Sequence, residues 1–459
     1  MVVKKLLLSL NLRLSDLFLA IGFIPISIFL IFGQLYMQYP NPDDVELSFP
    51  FAIAMFVILL ISWGIYLYLE NKAGNKVDRR INILFAFLLL IGILGILIQS
   101  RNYEMDLYLI DGSQAHLSLT ISNTHYFFFI FEIISILLFV YIGLFVLPKR
   151  FKTLKMIKML GYLVFLLCFV LIIYSYIWEA DKYVLFFESL KKYDFYAMKE
   201  CNIQGFILNS NAYGMTLMIG VMFCLMCHAM KSRWYYYLFS LVFFINMLFS
   251  CCRTSIILSI IMFLIYICFN CKIRKNKLNI IFLCIVFSII TLIAIFVCVV
   301  YFANGIIFGN LYILIKNITS NKNQVDLREW IWFNTYQIIA HTSPVSFLFG
   351  SGFGIMNLVL MRINFMNPYA FQFSFPTHSG FLNLLAEGGF LYLFTFLLLL
   401  GYAASIFKKC YKKQALLAIT IAFGALAFSF YSLIETIHYL VYPFIFLLLV
   451  FKDAEIKNI

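Results

Sequence analysis

The chain has 459 residues, of which 64% are hydrophobic and only 12% charged, and its formal net charge is +13. A soluble domain is near half apolar and a quarter charged, so that class is excluded. The basic excess does not point to nucleic acid, because it recurs as short clusters between apolar runs rather than as one patch.

A membrane-crossing helix needs roughly 20 apolar residues, each rising about 1.5 Å. Runs of that kind lie at 17–37, 49–69, 81–99, 125–147, 154–178 and 207–230. Six more lie at 233–250, 254–271, 279–302, 384–407, 414–432 and 436–451. Lys4 and Lys5 precede the first run, which is long and lacks a small-residue cleavage site, so it reads as an uncleaved signal anchor. Every backbone amide must be paired inside lipid, and these runs are continuously apolar, so they predict helices and not a barrel. The expected fold is an all-α polytopic membrane protein, a single integral membrane domain over 1–459 with about twelve transmembrane helices.

Charge then predicts orientation. With the N-terminus in the cytoplasm, each hairpin on that side is basic: Lys72, Lys76, Arg79 and Arg80, then Lys149, Arg150, Lys152, Lys155 and Lys158. Lys231 and Arg233 follow, then Lys272, Arg274, Lys275 and Lys277, then Lys408, Lys409, Lys412 and Lys413. The first outer loop carries Asp43, Asp44 and Glu46 and no basic residue. This positive-inside bias predicts both ends inside.

Three outer segments exceed a tight turn: 100–124, 179–206 and 303–383. The last, between the ninth and tenth predicted helices, is roughly 80 residues, too long for a passive connector. Trp330, Trp332 and many Phe and Tyr make it an ordered extracytoplasmic loop. No internal repeat relates the two halves.

Several motifs compete for meaning. Cys224-Leu-Met-Cys227-His228 matches a haem-attachment expression, but it sits inside a predicted helix near its cytoplasmic end, so it reads as two core cysteines beside an interfacial His. Cys201, Cys251 and Cys252 are the cysteines expected to face outward. The Gly350-Ser-Gly352-Phe-Gly354 run lacks the βαβ context of a dinucleotide site and reads as a turn allowing close backbone approach.

Polar residues that break the apolar pattern carry more. Arg253 lies in the short outer turn Ser250-Cys-Cys-Arg253-Thr254-Ser255, where it either snorkels to headgroups or aims its fork of donors at an anion such as a diphosphate. Arg328 and Arg362 are further outer arginines, each either a solvated charge or an anion contact. The loop ends in Phe375-Pro-Thr-His378-Ser-Gly-Phe-Leu-Asn383-Leu-Leu-Ala-Glu387-Gly-Gly, placing His378, Asn383 and Glu387 where the tenth helix meets the surface. His suits proton removal near neutral pH, and a carboxylate at that depth calls for a wet cavity or an arginine partner. Asn209 and Asn211 at the mouth of the sixth helix suit sugar or phosphate contacts, and equally suit capping. Glu132 is a carboxylate deep in the fourth predicted helix, lining a cavity or pairing with a neighbour.

Taken in order, these motifs resemble the O-antigen polymerase/ligase superfamily of bacterial envelope glycosyltransferases. The resemblance rests on Asn209-x-Asn211-x-x-Gly214, Ser250-x-x-Arg253-Thr254, Phe349-Gly-x-Gly-x-Gly354 and His378-Ser-x-x-Leu382-x-x-x-x-Glu387-Gly-Gly. It covers roughly 205–400 in motif detail, and Ser379 departs from the His-Asn of many members. It implies a multi-pass protein of the bacterial cytoplasmic membrane that transfers a glycan from undecaprenyl diphosphate at the outer face, with no cofactor and no metal. The first expectation is a polymerase of O-antigen or capsule, whose acceptor is another lipid-linked repeat unit. The alternatives are a ligase that transfers glycan to the lipid A-core of lipopolysaccharide, and a lipid-linked oligosaccharide flippase. Membrane lipid, a chain-length regulator and a flippase are the implied partners. By the same resemblance Arg253 and Arg328 hold the diphosphate, His378 deprotonates or orients the acceptor, and Asn383 and Glu387 position His378 or the sugar. Phe365 to Phe375 would stack on sugars or rest on lipid.

Overall fold

The computed structural model describes residues 13–25, 49–98, 102–108, 114–121, 123–150, 153–191, 203–207, 210–231, 233–250, 252–274, 327–340, 343–353, 359 and 379–432. The predicted helices at 279–302 and 436–451 and most of the 303–383 loop lie outside the described residues.

The apolar runs become helices. In chain order these are α1 (Leu14–Pro25), α2 (Phe49–Lys72), α3 (Arg79–Ile98) and α4 (Asn123–Tyr141). Then follow α5 (Thr153–Trp178), α6 (Ala180–Lys191), α7 (Ser210–Lys231), α8 (Tyr235–Phe249) and α9 (Arg253–Arg274). Last come α10 (Leu327–Ala340), α11 (Pro344–Phe349), α12 (Gly380–Lys413) and α13 (Ala415–Ser432). Among the described residues five helices are long and apolar enough to cross a membrane: Ile53–Lys72, Arg79–Ile98, Ile157–Trp178, Ser210–Lys231 and Gly380–Lys413. Large aliphatic side chains point outward along them, Ile61, Leu166 and Ile173 each being more than half exposed. Such a surface belongs against lipid. The chain is a predominantly helical membrane protein.

It is not all-α. The 100–124 segment, one of the outer segments longer than a tight turn, holds an antiparallel hairpin of β1 (Asn102–Tyr108) and β2 (Gln114–Thr120), with Tyr108 opposite Gln114 and Asn102 opposite Thr120. Its period-two pattern is the cause: Met105 and Leu117 are buried, while Glu104, Asp106, His116 and Ser118 are exposed. The Asp111-Gly112 dipeptide between the strands is a hairpin-turn signal.

The chain falls into two compact units, Met1–Phe151 with Val325–Ala403 and Ser432–Phe446, and Lys152–Gln324 with Ala404–Tyr431 and Leu447–Ile459. In the first, Trp63 of α2 packs edge-on to Phe23 of α1 at 5.5 Å and donates from Nε1 to the Leu19 carbonyl at 3.3 Å. Leu59, Trp63 and Tyr66 form a buried cluster with Ile142 and Val146, which lie in a widened π-turn continuing α4. Pro148 follows two residues after Val146 and has no N–H to keep the α-ladder in step. Tyr141 donates to Asn82 at 2.7 Å and ties α4 to α3.

The hairpin in turn holds α10. Gln337 accepts from the Tyr108 N–H at 3.0 Å and donates to the Tyr108 carbonyl at 3.4 Å and to Asn334 at 3.2 Å. One buried amide thus completes the open edge of β1. Gln337→Ala should leave the Tyr108 N–H without its partner and speed its hydrogen exchange by about tenfold or more. Unchanged protection at Tyr108 would show that the clasp does not hold the hairpin.

In the second unit α7 is the centre: 78% of its span is buried, against 28–39% in the other four. It packs against α5, α8 and α9. Cys224 and Cys227 are buried free thiols in it. His228, in the last turn, is buried among the helices, with Nδ1 2.6 Å from the Tyr266 hydroxyl and its ring 4.1 Å from that of Tyr237. Cys252 is also a buried free thiol, 3.2 Å from the Ser255 hydroxyl, while Cys201 and Cys251 lie outside the described residues.

Candidate functional site

The most informative geometry lies where the end of the large loop enters α12. Ser379 starts this helix: its Oγ accepts from the Leu382 N–H at 3.4 Å and its carbonyl from the Asn383 N–H at 2.8 Å. Ser is among the residues that favour this N-cap position. One turn on, the buried amide of Asn383 donates to the carboxylate of Glu387 at 2.7 Å. The i, i+4 spacing puts both on one face of the helix, and each is only 1% exposed. Glu387 is held in the interior with an amide on its carboxylate.

Directly beyond it the helix breaks. Gly389 has φ 73° and ψ −178°, a conformation that the helix cannot contain. The carbonyls of Ala386 and Glu387 would have bonded to N–H groups four residues on, past this break. They are met instead by the glycine turn of the loop. Ser351 donates to the Ala386 carbonyl twice, from N–H at 2.7 Å and from Oγ at 2.8 Å, and Gly352 N–H donates to the Glu387 carbonyl at 3.0 Å. Gly350 and Gly352 have φ of 82° and 90°. A Cβ on Gly350 would overlap the Glu387 carbonyl, and one on Gly389 would overlap Gly350 N and Leu348 O. Gly95 of α3 closes the junction, since a Cβ there would overlap the Phe349 carbonyl. The expected close backbone approach at Gly350–Gly352 is therefore found, and what it approaches is the Glu387-Gly-Gly motif. Phe353 packs edge-on to Tyr392 at 4.8 Å, and Phe347 stacks over Phe390 at 6.2 Å.

The second unit joins the other two motifs. Gly214 lies so close to the turn before α9 that a Cβ would sit 2.7 Å from Cys252 Cβ and 2.8 Å from Ser250 Oγ. Asn211, half-buried, is in the first turn of α7, and Arg253 is the first residue of α9 rather than a turn residue. The approach to α7 is anchored by a residue that the sequence did not single out. Glu179 accepts from Gly205 N–H at 2.6 Å and from Gln204 N–H at 3.2 Å, and pairs with Lys182 at 2.6 Å. Ser175 adds a bond to Tyr183 at 2.8 Å and one to Tyr213 at 3.3 Å, linking α5, α6 and α7.

No family model, curated protein or solved structure matches the chain.

Of the remaining site residues, His378, Asn209 and Arg362 lie outside the described residues, as do Gly354 and Phe365 to Phe375. Arg328 is placed by its backbone in the first turn of α10, and its side chain and those of Arg253 and Glu132 lie outside the description. Among the described residues no group of three or more His, Cys, Asp or Glu is placed to hold a metal ion. Ser351, Gln337 and Glu179 are the residues that sequence reasoning missed. Each works through backbone atoms of a distant segment, for which no spacing rule exists.

Proposed function

We propose that this chain is a membrane glycosyltransferase that polymerises a bacterial surface polysaccharide of the O-antigen or capsule type. It crosses the cytoplasmic membrane about twelve times with both ends inside, and acts at the outer face. The donor is a glycan on undecaprenyl diphosphate and the acceptor is a second lipid-linked repeat unit. The acceptor hydroxyl attacks the anomeric carbon of the donor, a new C–O bond forms, and the bond from that carbon to the diphosphate oxygen breaks. Undecaprenyl diphosphate leaves as the anion, and the hydroxyl proton passes to His378. Arg253 and Arg328 offset the charge that develops on the leaving diphosphate, an electrostatic contribution that a fixed guanidinium makes without reorganisation. Asn383 and Glu387 position His378 or the sugar, and Asn209, Asn211 and Arg362 contact the substrate.

The observation that carries this reading is the pairing of the motifs. Gly214 sits on the Ser250–Cys252 turn, and the Gly350–Gly352 turn sits on Ala386–Gly389. Segments matched only by their order and spacing in sequence meet in pairs, one through backbone hydrogen bonds and the other by close approach of Gly214 to the Ser250 and Cys252 side chains. Passive connectors have no need of that.

Deleting the gene in its host and resolving the surface glycan on a gel tests the reading. Single repeat units on the final acceptor are expected. Long chains that accumulate on undecaprenyl diphosphate would instead make it a ligase, and glycan held at the cytoplasmic face would make it a flippase.

A further inference from the structure

We infer that Ser351 is a positioning residue for Glu387, acting from the loop through the backbone of the broken helix. This rests on the functional reading above. The segment Gly380–Gly388 is a helix stub whose C-terminal carbonyls have lost their own partners to the break at Gly389. Orphan carbonyls in an interior cost about 1–3 kcal/mol each, so the stub requires donors from elsewhere. The loop brings three, two of them from Ser351 and one from Gly352.

The consequence falls on one side chain. Glu387 is held at both ends, by Gly352 N–H on its carbonyl at 3.0 Å and by Asn383 Nδ2 on its carboxylate at 2.7 Å. Its immediate neighbour Ala386 carries both Ser351 bonds. A helix turns by about 100° per residue, so a small twist of the unanchored stub would swing the carboxylate out of its place. Three glycines at the junction explain why Ser351 arrives close enough to donate twice: Gly95, Gly350 and Gly389 leave no Cβ between the three backbones. The hydroxyl of Ser351 is itself buried, so its work is done inside the junction and not on substrate.

The test uses the full-length chain, purified, with the lipid-linked repeat unit extracted from a host strain that lacks it. Glu387→Gln, Ser351→Ala and Ser351→Thr are compared for kcat, KM and amount in the membrane. Ser351→Ala should lower kcat about 10- to 100-fold at unchanged KM, as a displaced active-site group does. Ser351→Thr, which keeps the hydroxyl, should recover most of the rate. An inactive Glu387→Gln beside a Ser351→Ala at wild-type kcat overturns the positioning role and leaves the functional reading standing. A Glu387→Gln that extends chains normally overturns the role assigned to Glu387, and the positioning role with it.

Discussion

Gly389→Ala should be, with Gly350→Ala, among the most damaging single-methyl changes in the described part of the chain. At φ 73° an L-residue is strained by about 1–2 kcal/mol on backbone grounds alone. The added Cβ would also overlap Gly350 N and Leu348 O, which are backbone atoms without a rotamer to change. Straightening the helix would relieve both, but it would withdraw the Ala386 and Glu387 carbonyls from Ser351 and Gly352. Each lost bond is worth about 0.5–1.5 kcal/mol. The variant is expected to fall well below wild type in membrane abundance and in melting temperature in detergent. Gly401→Ala is the matched control, because nothing lies within 4 Å of its Cβ and alanine favours a helix by about 1 kcal/mol. Equal stability of the two variants would show that the junction is not packed as described.

His378→Ala and Arg253→Ala should act on chemistry and leave the fold alone. General-base loss costs about 10²- to 10⁴-fold, and removal of a group that stabilises leaving charge costs a comparable factor. Both variants should remain in the membrane at normal levels and make no long chains. Normal-length polymer from both would remove them from the catalytic machinery.

Much of this molecule is legible in its sequence. The apolar runs at 49–69, 81–99, 154–178 and 233–250 became α2, α3, α5 and α8 with ends within a few residues, because continuous apolarity over that length has one solution in lipid. The hairpin was missed for a related reason. Its alternation lies in full view at Met105 and Leu117, but a seven-residue strand is faint beside helices of twenty.

The candidate site was legible in its parts and not in its assembly. Glycine runs at 350–354 and 388–389 each signal unusual backbone, yet nothing in the sequence says that one caps the other. That pairing depends on carbonyls that exist only because Gly389 breaks the helix. At Glu387 the contact on the carboxylate is the Asn383 amide. Asn383 lies four residues away on the same face, so this was the one contact that helical spacing alone offered. Glu179 shows the opposite case: its partners are the main-chain N–H groups of Gln204 and Gly205, and main chain carries no sequence signature.

The central claim is that this chain joins lipid-linked glycan units to one another. The most direct measurement incubates the purified full-length protein with the extracted lipid-linked repeat unit alone and resolves the products on a gel. A ladder of repeat multiples is expected, with one undecaprenyl diphosphate released per bond formed and no ladder from His378→Ala. Repeat units that remain single in the presence of folded wild-type protein, or that are joined only when lipid A-core is added, would contradict it.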